Sequence, residues 1–445
     1  MQVSVNTRDG ANLAHLLPQS SGCLPRRIAS GMASRGRRAP QLAALCLHLA
    51  LGLAPPPRRC LTRLSSTQSS STPGWTYGKE APTSDAWCFA RTMGEGREPC
   101  DVADETYLRC TAAATYKVNW SRPPRRALVL AKKSMDDAEL RVASEVARVI
   151  AGLGIDILMA EPLYSRARAR LADRGIAAAL WESEDDGERR PDFLATIGGD
   201  GLLLYANALF QRTAPPPVIA FSAGSLGFLA PFDAYDESAD GGVENAMGLA
   251  AGLERGASRP PPPWPVSLRM RLRCTVFDGD SGDVLARHEA LNEVVVNRGD
   301  SEFLSAVECF CNDEHLTTAQ ADGIIVATPT GSTAYSLSAG GPMVHPSANA
   351  MVFTPVCPHS LSFRPMVFPD SAELKFVVDG DARADAWATF DGRNRVKLKR
   401  GDELVVTPSP YPLPTVLRLG NTADWFGGLR THFNFNVRVR QKPLS

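Results

Sequence analysis

The sequence predicts two folded parts, a parallel α/β domain followed by an all-β domain. Three observations carry that reading. Between residues 127 and 221, short apolar runs alternate with helix-spaced segments, the pattern of a parallel sheet covered on both faces. After "RPPPPWP" (259–265) the chain turns to short segments rich in Val, Thr and Phe, separated by turn residues, which read as strands. Near the end, "TADWFGGL" (422–429) returns to helical spacing.

Length and composition agree. The 445 residues allow two domains and a tail, at roughly 100–200 residues per domain. With 44% hydrophobic and 22% charged residues, the chain has the makeup of a globular protein. Its formal net charge is zero, so no basic field points to nucleic acid or membrane lipid. No apolar run approaches the roughly 20 residues that span a bilayer. Of the 10 cysteines, only Cys309 and Cys311 lie close together, and no second pair accompanies them. Scattered thiols of this kind suit a reducing compartment.

Taken in order, residues 1–78 form a head with nine arginines and a single acid, Asp9. Arg- and Ser-rich, acid-poor composition is that of an organelle transit peptide, so a plastid or mitochondrial address is expected, with a cytoplasmic protein as the alternative. Residues 79–124 are a lead-in with little periodicity. The α/β domain is expected over 125–258. "ALVLAK" (127–132) is its first strand, and Ser134 is the expected N-cap of the next helix, with Asp136 and Asp137 in the first turn. Leu140, Ala143, Ala147 and Ile150 mark the buried face, and Gly152 and Gly154 end the helix. "IDILMA" (155–160), "DFLATI" (192–197) and "PPVIAF" (216–221) are the following strands. The prolines of 259–265 make a stiff connector. The all-β domain is expected over 266–420, and 421–445 should form a closing helix and tail that pack back on the α/β domain.

The chemistry concentrates in glycine-rich turns. "IGGDGLLLYANALF" (197–210) leaves a strand through Gly198, Gly199, Asp200 and Gly201 and re-enters apolar helical spacing. Such a turn presents bare amides at the positive end of a helix, which suits phosphate. A lone Gly-Gly-Asp-Gly is as often only a tight turn, and the carboxylate tips the reading towards a site. An acid beside a phosphate cradle is electrostatically awkward unless magnesium or a substrate hydroxyl offsets it. "FSAGSLGFL" (221–229) supplies a second glycine loop with Gly224 and Gly227, but Ala223 breaks the G-x-S-x-G pattern of a serine hydrolase. No P-loop and no H-E-x-x-H zinc motif occurs.

In the second domain, "ADGIIVATPTGSTAYSLSAGGPMVHP" (321–346) puts Asp322 before a strand and a hydroxyl-rich turn after it. Tyr335 offers an aromatic face for a base. "LNEVVVNRG" (291–299) opens a strand with Asn292 and Glu293, an amide and a carboxylate able to grip a ribose diol or an adenine edge. A solvated strand end would look the same.

In this order, Gly-Gly-Asp-Gly, "GSLGFL", "NEV", "DGIIVATPTGSTAY", "CPHSLSFRP" (357–365) and "FDGR" (390–393) resemble the NAD kinase family over roughly residues 125 to 440. The closing "SPYPLP" and "DWFGGL" are similar to its eukaryotic branch. The resemblance implies a Rossmann-like α/β domain, a β-sandwich-like domain and an active site between them. It implies transfer of the γ-phosphate of ATP to the 2′-hydroxyl of the adenosine ribose of NAD. Asp200 would be the catalytic carboxylate, with Gly201 beside it. Asn292 and Glu293 would hold the diphosphate–ribose portion of NAD, and Asp322 the nicotinamide end. Thr333, Ala334, Tyr335 and Ser338 would line the adenine side, and Arg393 would close the pocket. Gly198, Gly199 and Gly224 would meet the phosphates of ATP, with Lys132 and Lys133 in reach of them. Mg²⁺ would arrive with ATP and need no fixed protein site. NAD and ATP are the implied partners, in a homo-oligomer.

Two positions depart from the family pattern. Leu202 replaces the usual threonine after Gly-Gly-Asp-Gly, which should remove a hydroxyl from the phosphate end. Ser222 stands where eukaryotic members often carry histidine. A diacylglycerol-type lipid kinase shares the glycine turn but has no reason to carry "NEV" with "TPTGSTAY". A non-catalytic dinucleotide sensor would bind NAD without turnover.

Overall fold

The computed structural model of the chain describes residues 87–93, 100–101, 114–223, 227–235, 243 and 261–436. The expected head, residues 259 and 260 of the connector, Gly224 and the tail beyond 436 lie outside them.

The first part is built on a mixed sheet. Trp87–Met93 (β1), Cys100–Asp101 (β2) and Ala114–Trp120 (β3) form an antiparallel margin. Arg126–Ala131 (β4), Asp156–Met159 (β5), Ala178–Leu180 (β6), Phe193–Ile197 (β7), Val218–Ser222 (β8) and Phe232–Asp233 (β9) pair in parallel. The helices between them are Asp137–Gly152 (α1), Leu163–Ala172 (α2) and Asp200–Ala208 (α3). Strand β4 shows why the sheet is covered on both sides. Its Ala127, Val129 and Ala131 join a core with Leu140, Ala143, Ala147 and Ile150 of α1. Its Leu128 and Leu130 face the other way, into a core with Leu202, Leu203 and Ala206 of α3.

Helix α1 starts two residues later than the sequence suggested. Asp136, not Ser134, is the N-cap. Its carboxylate accepts from the Glu139 amide at 2.8 Å, while the Glu139 carboxylate accepts from the Asp136 amide at 2.9 Å. That reciprocal box satisfies two end amides, where a serine at 134 would satisfy one.

The second part comprises two six-stranded sheets. One has the order β12-β11-β22-β19-β14-β15, the other β18-β17-β16-β13-β20-β21. Their strands are Leu272–Phe277 (β11), Val284–Ala290 (β12), Glu293–Asn297 (β13), Ser305–Cys311 (β14), Glu314–Ala321 (β15) and Gly323–Ala327 (β16). Then follow Ala350–Val356 (β17), Met366–Pro369 (β18), Leu374–Val378 (β19), Ala386–Phe390 (β20), Arg393–Leu398 (β21) and Glu403–Pro408 (β22). The sheets share one core. Phe353 of β17 stacks on Phe376 of β19 at 6.0 Å across it.

The chain crosses between the two parts more than once. The segment "VSLRMRLRCTVF" holds two strands rather than one. Trp264–Arg269 (β10) lies in the first sheet between β3 and Leu413–Val416 (β23), and β23 pairs in parallel with β8. Trp264 is fully buried and packs edge-on against Trp120 and Phe193 at 4.7 and 5.4 Å. Strand β4 is flanked by β5 on one side and β7 on the other. In open α/β sheets such a switch point opens a crevice at the carboxyl ends of the strands. The Gly-Gly-Asp-Gly turn leaves β7 at that edge.

Candidate active site

Asp200 opens α3 directly after Gly199, the N-cap. Its side chain turns back to the second glycine loop. One carboxylate oxygen accepts from the Leu229 amide at 2.8 Å and the other from the Phe228 amide at 3.1 Å. Each oxygen keeps a further lone pair for another donor. Gly227 permits the approach, because a Cβ there would stand 2.5 Å from Asp200 Oδ1.

The facing wall comes from the second part. Asn292 precedes β13 and Glu293 begins it, and both donate their backbone amides to Asp391. The Asp391 carboxylate takes hydrogen bonds from Leu291, Asn292 and Glu293 at 2.8, 2.7 and 3.2 Å. Asp391 sits in the two-residue turn joining β20 to β21, where Phe390 pairs with Arg393. Both turn residues have positive φ, 49° for Asp391 and 68° for Gly392, the Asp-Gly hairpin geometry. The turn "TPTGST" folds down onto the same pair. A Cβ on Gly331 would meet the Asn292 carbonyl oxygen at 2.0 Å, so only glycine lets the turn lie there. Glu293 is 8% exposed, and burial, reinforced by the charge of Asp391, pushes its carboxyl up to about 8. The side-chain oxygens Asn292 Oδ1 and Glu293 Oε2 are buried and have no hydrogen-bond partner among the described residues.

Between these walls lies a cavity of about 430 Å³. Gly199 and Asp200 line one side and Asn292, Thr330, Thr333 and Ala334 the other, with Phe228, His432 and Phe433 at the margin. The last two belong to Asn421–Phe433 (α5), which docks on both parts. It meets Phe228 through Phe433 at 5.8 Å, and His345 through Trp425 at 5.0 Å. Behind the 227–229 loop a second cavity of about 140 Å³ is lined by Arg269. That guanidinium is buried and donates to Thr415 Oγ1 at 3.0 Å and Thr330 Oγ1 at 3.3 Å. Burial lowers it to about 10, against the attraction of Asp200 and Asp424, so it remains a cation at neutral pH.

The structure thus brings Gly199, Asp200, Asn292, Thr333 and Ala334 to one cavity. Glu293 lies beneath them. Tyr335 is 45% exposed beside the cavity, so it is not a core aromatic. Ser338 is exposed on the same short helix, Tyr335–Ser338 (α4), and Gly201 is exposed at the start of α3. Other candidates stand apart. Asp322 is at the opposite end of β16 from the turn and pairs with Arg298 at 2.8 Å. Arg393 is exposed and lies over the Tyr205 ring at 5.8 Å. In the "FDGR" turn it is Asp391 that reaches the Asn292–Glu293 backbone. Lys132 pairs with Glu139 at 2.5 Å, which raises its pKa. Neither it nor the exposed Lys133 lines the cavity. Gly198 is buried behind the turn.

Leu202 is 6% exposed in the core beneath α3, against Gly198, and is not among the residues lining the cavity. Ser222 is fully buried at the end of β8.

Comparison with known proteins agrees with this arrangement. Residues 127–243 match the ATP-NAD kinase N-terminal domain and residues 291–418 the ATP-NAD kinase C-terminal domain. Together these are more than half of the 445 residues. The chain is 40% identical over 328 residues to NAD kinase 2, chloroplastic, of Arabidopsis thaliana, covering 73% of this chain and 32% of that protein. It is 41% identical over 267 residues to an ATP-NADH kinase of Saccharomyces cerevisiae, covering 57% of this chain and 50% of that one. The chain therefore spans a third to a half of the length of these relatives. A crystal structure of yeast NADH kinase complexed with NADH superposes with a TM-score of 0.63 at 28% identity, over 74% of this chain and 93% of that one. The chain belongs to the NAD kinase family.

Proposed function

We propose that this chain transfers the γ-phosphate of ATP to the 2′-hydroxyl of the adenosine ribose of NAD, giving NADP and ADP. The observation that carries the reading is the cavity itself, where Asp200 of one part faces Asn292, Thr333 and Ala334 of the other. A ribose hydroxyl is a weak nucleophile at neutral pH, so the reaction needs a placed proton acceptor and a neutralised phosphoryl group. Asp200, steered by two amides, takes the hydroxyl proton as the oxygen attacks the γ-phosphorus. The bond from that phosphorus to the β,γ-bridging oxygen breaks, and ADP departs. Mg²⁺ enters as part of the Mg·ATP substrate. Among the described residues no group of three His, Cys, Asp or Glu side chains is placed to hold a metal. The buried Arg269 adds a fixed positive charge behind Thr330. On the acceptor side, Asn292 and Glu293 hold the diphosphate–ribose portion, with Thr333, Ala334, Tyr335 and Ser338 along the base.

The test is formation of NADP by the purified chain from NAD and Mg·ATP, with NADH as a second acceptor and diacylglycerol as a control. Phosphorylated dinucleotide with no phosphatidic acid supports the reading. NAD binding without turnover would identify a sensor instead.

The Arg- and Ser-rich head supports import into a plastid or mitochondrion, and the Arabidopsis relative is itself named chloroplastic. A tagged full-length chain should reach an organelle, and one lacking residues 1–78 should stay in the cytosol and keep its activity. A homo-oligomer is the expected assembly, to be read from the mass of the purified chain in solution.

A further inference from the structure

The helix that presents Asp200 is tied, at its other end, to the turn that orients Asn292 and Glu293. Asp200 opens α3 and Asn207 lies in its last turn, about 10 Å further along at 1.5 Å per residue. Asn207 is 1% exposed and all its side-chain atoms are engaged. Its Nδ2 donates to the Glu289 carbonyl at 2.8 Å and to Asp391 Oδ2 at 3.3 Å. Its Oδ1 accepts from Arg271 Nη1 at 3.1 Å. Arg271 is fully buried and also donates to the Phe210 carbonyl at 2.7 Å and the Tyr411 carbonyl at 2.5 Å. The amide can stand only this way round, since its donors meet oxygens and its oxygen meets a guanidinium.

Each partner comes from a different element. Asn207 belongs to α3, Glu289 to β12, Asp391 to the β20–β21 turn and Arg271 to the link between β10 and β11. Asp391 in turn holds the three amides at 291–293. A displacement at Asn207 therefore moves α3, and Asp200 with it, relative to the Asn292–Glu293 pair. Neither Asn207 nor Asp391 lines the cavity, so neither needs to touch a substrate.

We propose that Asn207 and Asp391 are positioning residues that set the register between the two halves of the active site. The claim rests on the phosphotransfer reading above for its kinetic signature. Substrate affinity resides mainly in the second part, while the rate depends on where Asp200 stands against the bound hydroxyl. A register error should thus appear in kcat and spare the NAD affinity.

Asn207→Asp sets a carboxylate against Asp391 and removes the bridging donor. We expect kcat to fall about 100-fold, the scale for a misplacement near 1 Å, while the Kd for NAD moves less than about threefold. Asp391→Asn tests the other end of the tie, since either way round its amide nitrogen faces a backbone N–H of residues 291–293, and kcat should fall on a similar scale. Should Asn207→Asp fail to fold, Asn207→Ser removes the amide without new charge and should show the same loss confined to kcat. Wild-type kcat in the folded Asn207 variants, or a loss that falls on the Kd for NAD instead of kcat, overturns the proposal. A wild-type chain that forms no NADP ends the function reading, and amide hydrogen exchange then decides the register. Faster exchange at Leu291, Asn292 and Glu293 in the Asn207 variant sustains it, and unchanged exchange overturns it.

Discussion

A Cβ on Gly227 would stand 2.5 Å from Asp200 Oδ1. The loop after β8 can hand two amides to the carboxylate only because residue 227 has no side chain. Gly227→Ala should push Asp200 off its amides and lower kcat by about 100-fold, with NAD affinity little changed. Gly380→Ala is the control, since a Cβ there meets nothing within 4 Å. Steady-state kinetics with an NAD titration on both variants read the outcome. Equal rates in the two would show that the carboxylate needs no such support.

Glu293 makes the stability of the chain fall as pH rises from about 4.5 to about 8. Its carboxyl is held at about 8 against an ordinary 4.5, first by burial and then by the charge of Asp391. Between those values the folded chain keeps a proton that the unfolded chain has released. Stability contributed by this group is therefore complete below 4.5 and lost as pH rises to about 8. Glu293→Gln cannot ionise, so its melting temperature should gain on the wild type from pH 5 to 8 and then run parallel to it. NAD affinity should weaken above pH 8 in the wild type alone, as a carboxylate forms beside an anionic ligand. Parallel melting profiles throughout would remove Glu293 as the source.

Tyr335, at 45% exposure, is available to a ligand and contributes little to the core. Tyr335→Ala should weaken NAD binding by roughly 1–3 kcal/mol, the scale of one base–aromatic stack, and raise KM before kcat falls. The melting temperature should stay near that of the wild type. A large loss of stability with normal affinity would contradict this placement.

The strands and glycine turns near the site were legible in the sequence because they rest on local patterns. Strand β4 reads as apolar without interruption because both its faces are covered. Other elements were less visible. The lead-in hides β3, although Tyr116, Val118 and Trp120 alternate as a strand requires and are buried. Helix α2 interleaves three arginines with small and polar residues, and only Leu163, Ala167 and Leu171 mark its buried stripe. The break at Met270–Arg271 could not be seen in an unbroken β-like run, because it is set by which sheet each half joins. Within the site, Asp200 and its neighbouring glycines stood out, whereas Phe228 and Thr330 did not, although both lie in the quoted turns, and His432 and Phe433 arrive through tertiary packing. Asp391 did carry a signal. Its Asp-Gly between two strand-like runs is the signature of a tight hairpin, and that geometry points the carboxylate back at residues 291–293.

The measurement that bears most directly on the whole account is the rate of NADP formation by Asp200→Asn, with NAD affinity determined on the same preparation. Asparagine keeps the shape and can still meet the loop through its oxygen, but it cannot take the ribose proton. The account predicts a folded protein that binds NAD like the wild type and has lost activity by roughly 10²–10⁴, the scale for a positioned base. Turnover close to the wild-type rate would contradict it and remove Asp200 from the chemistry.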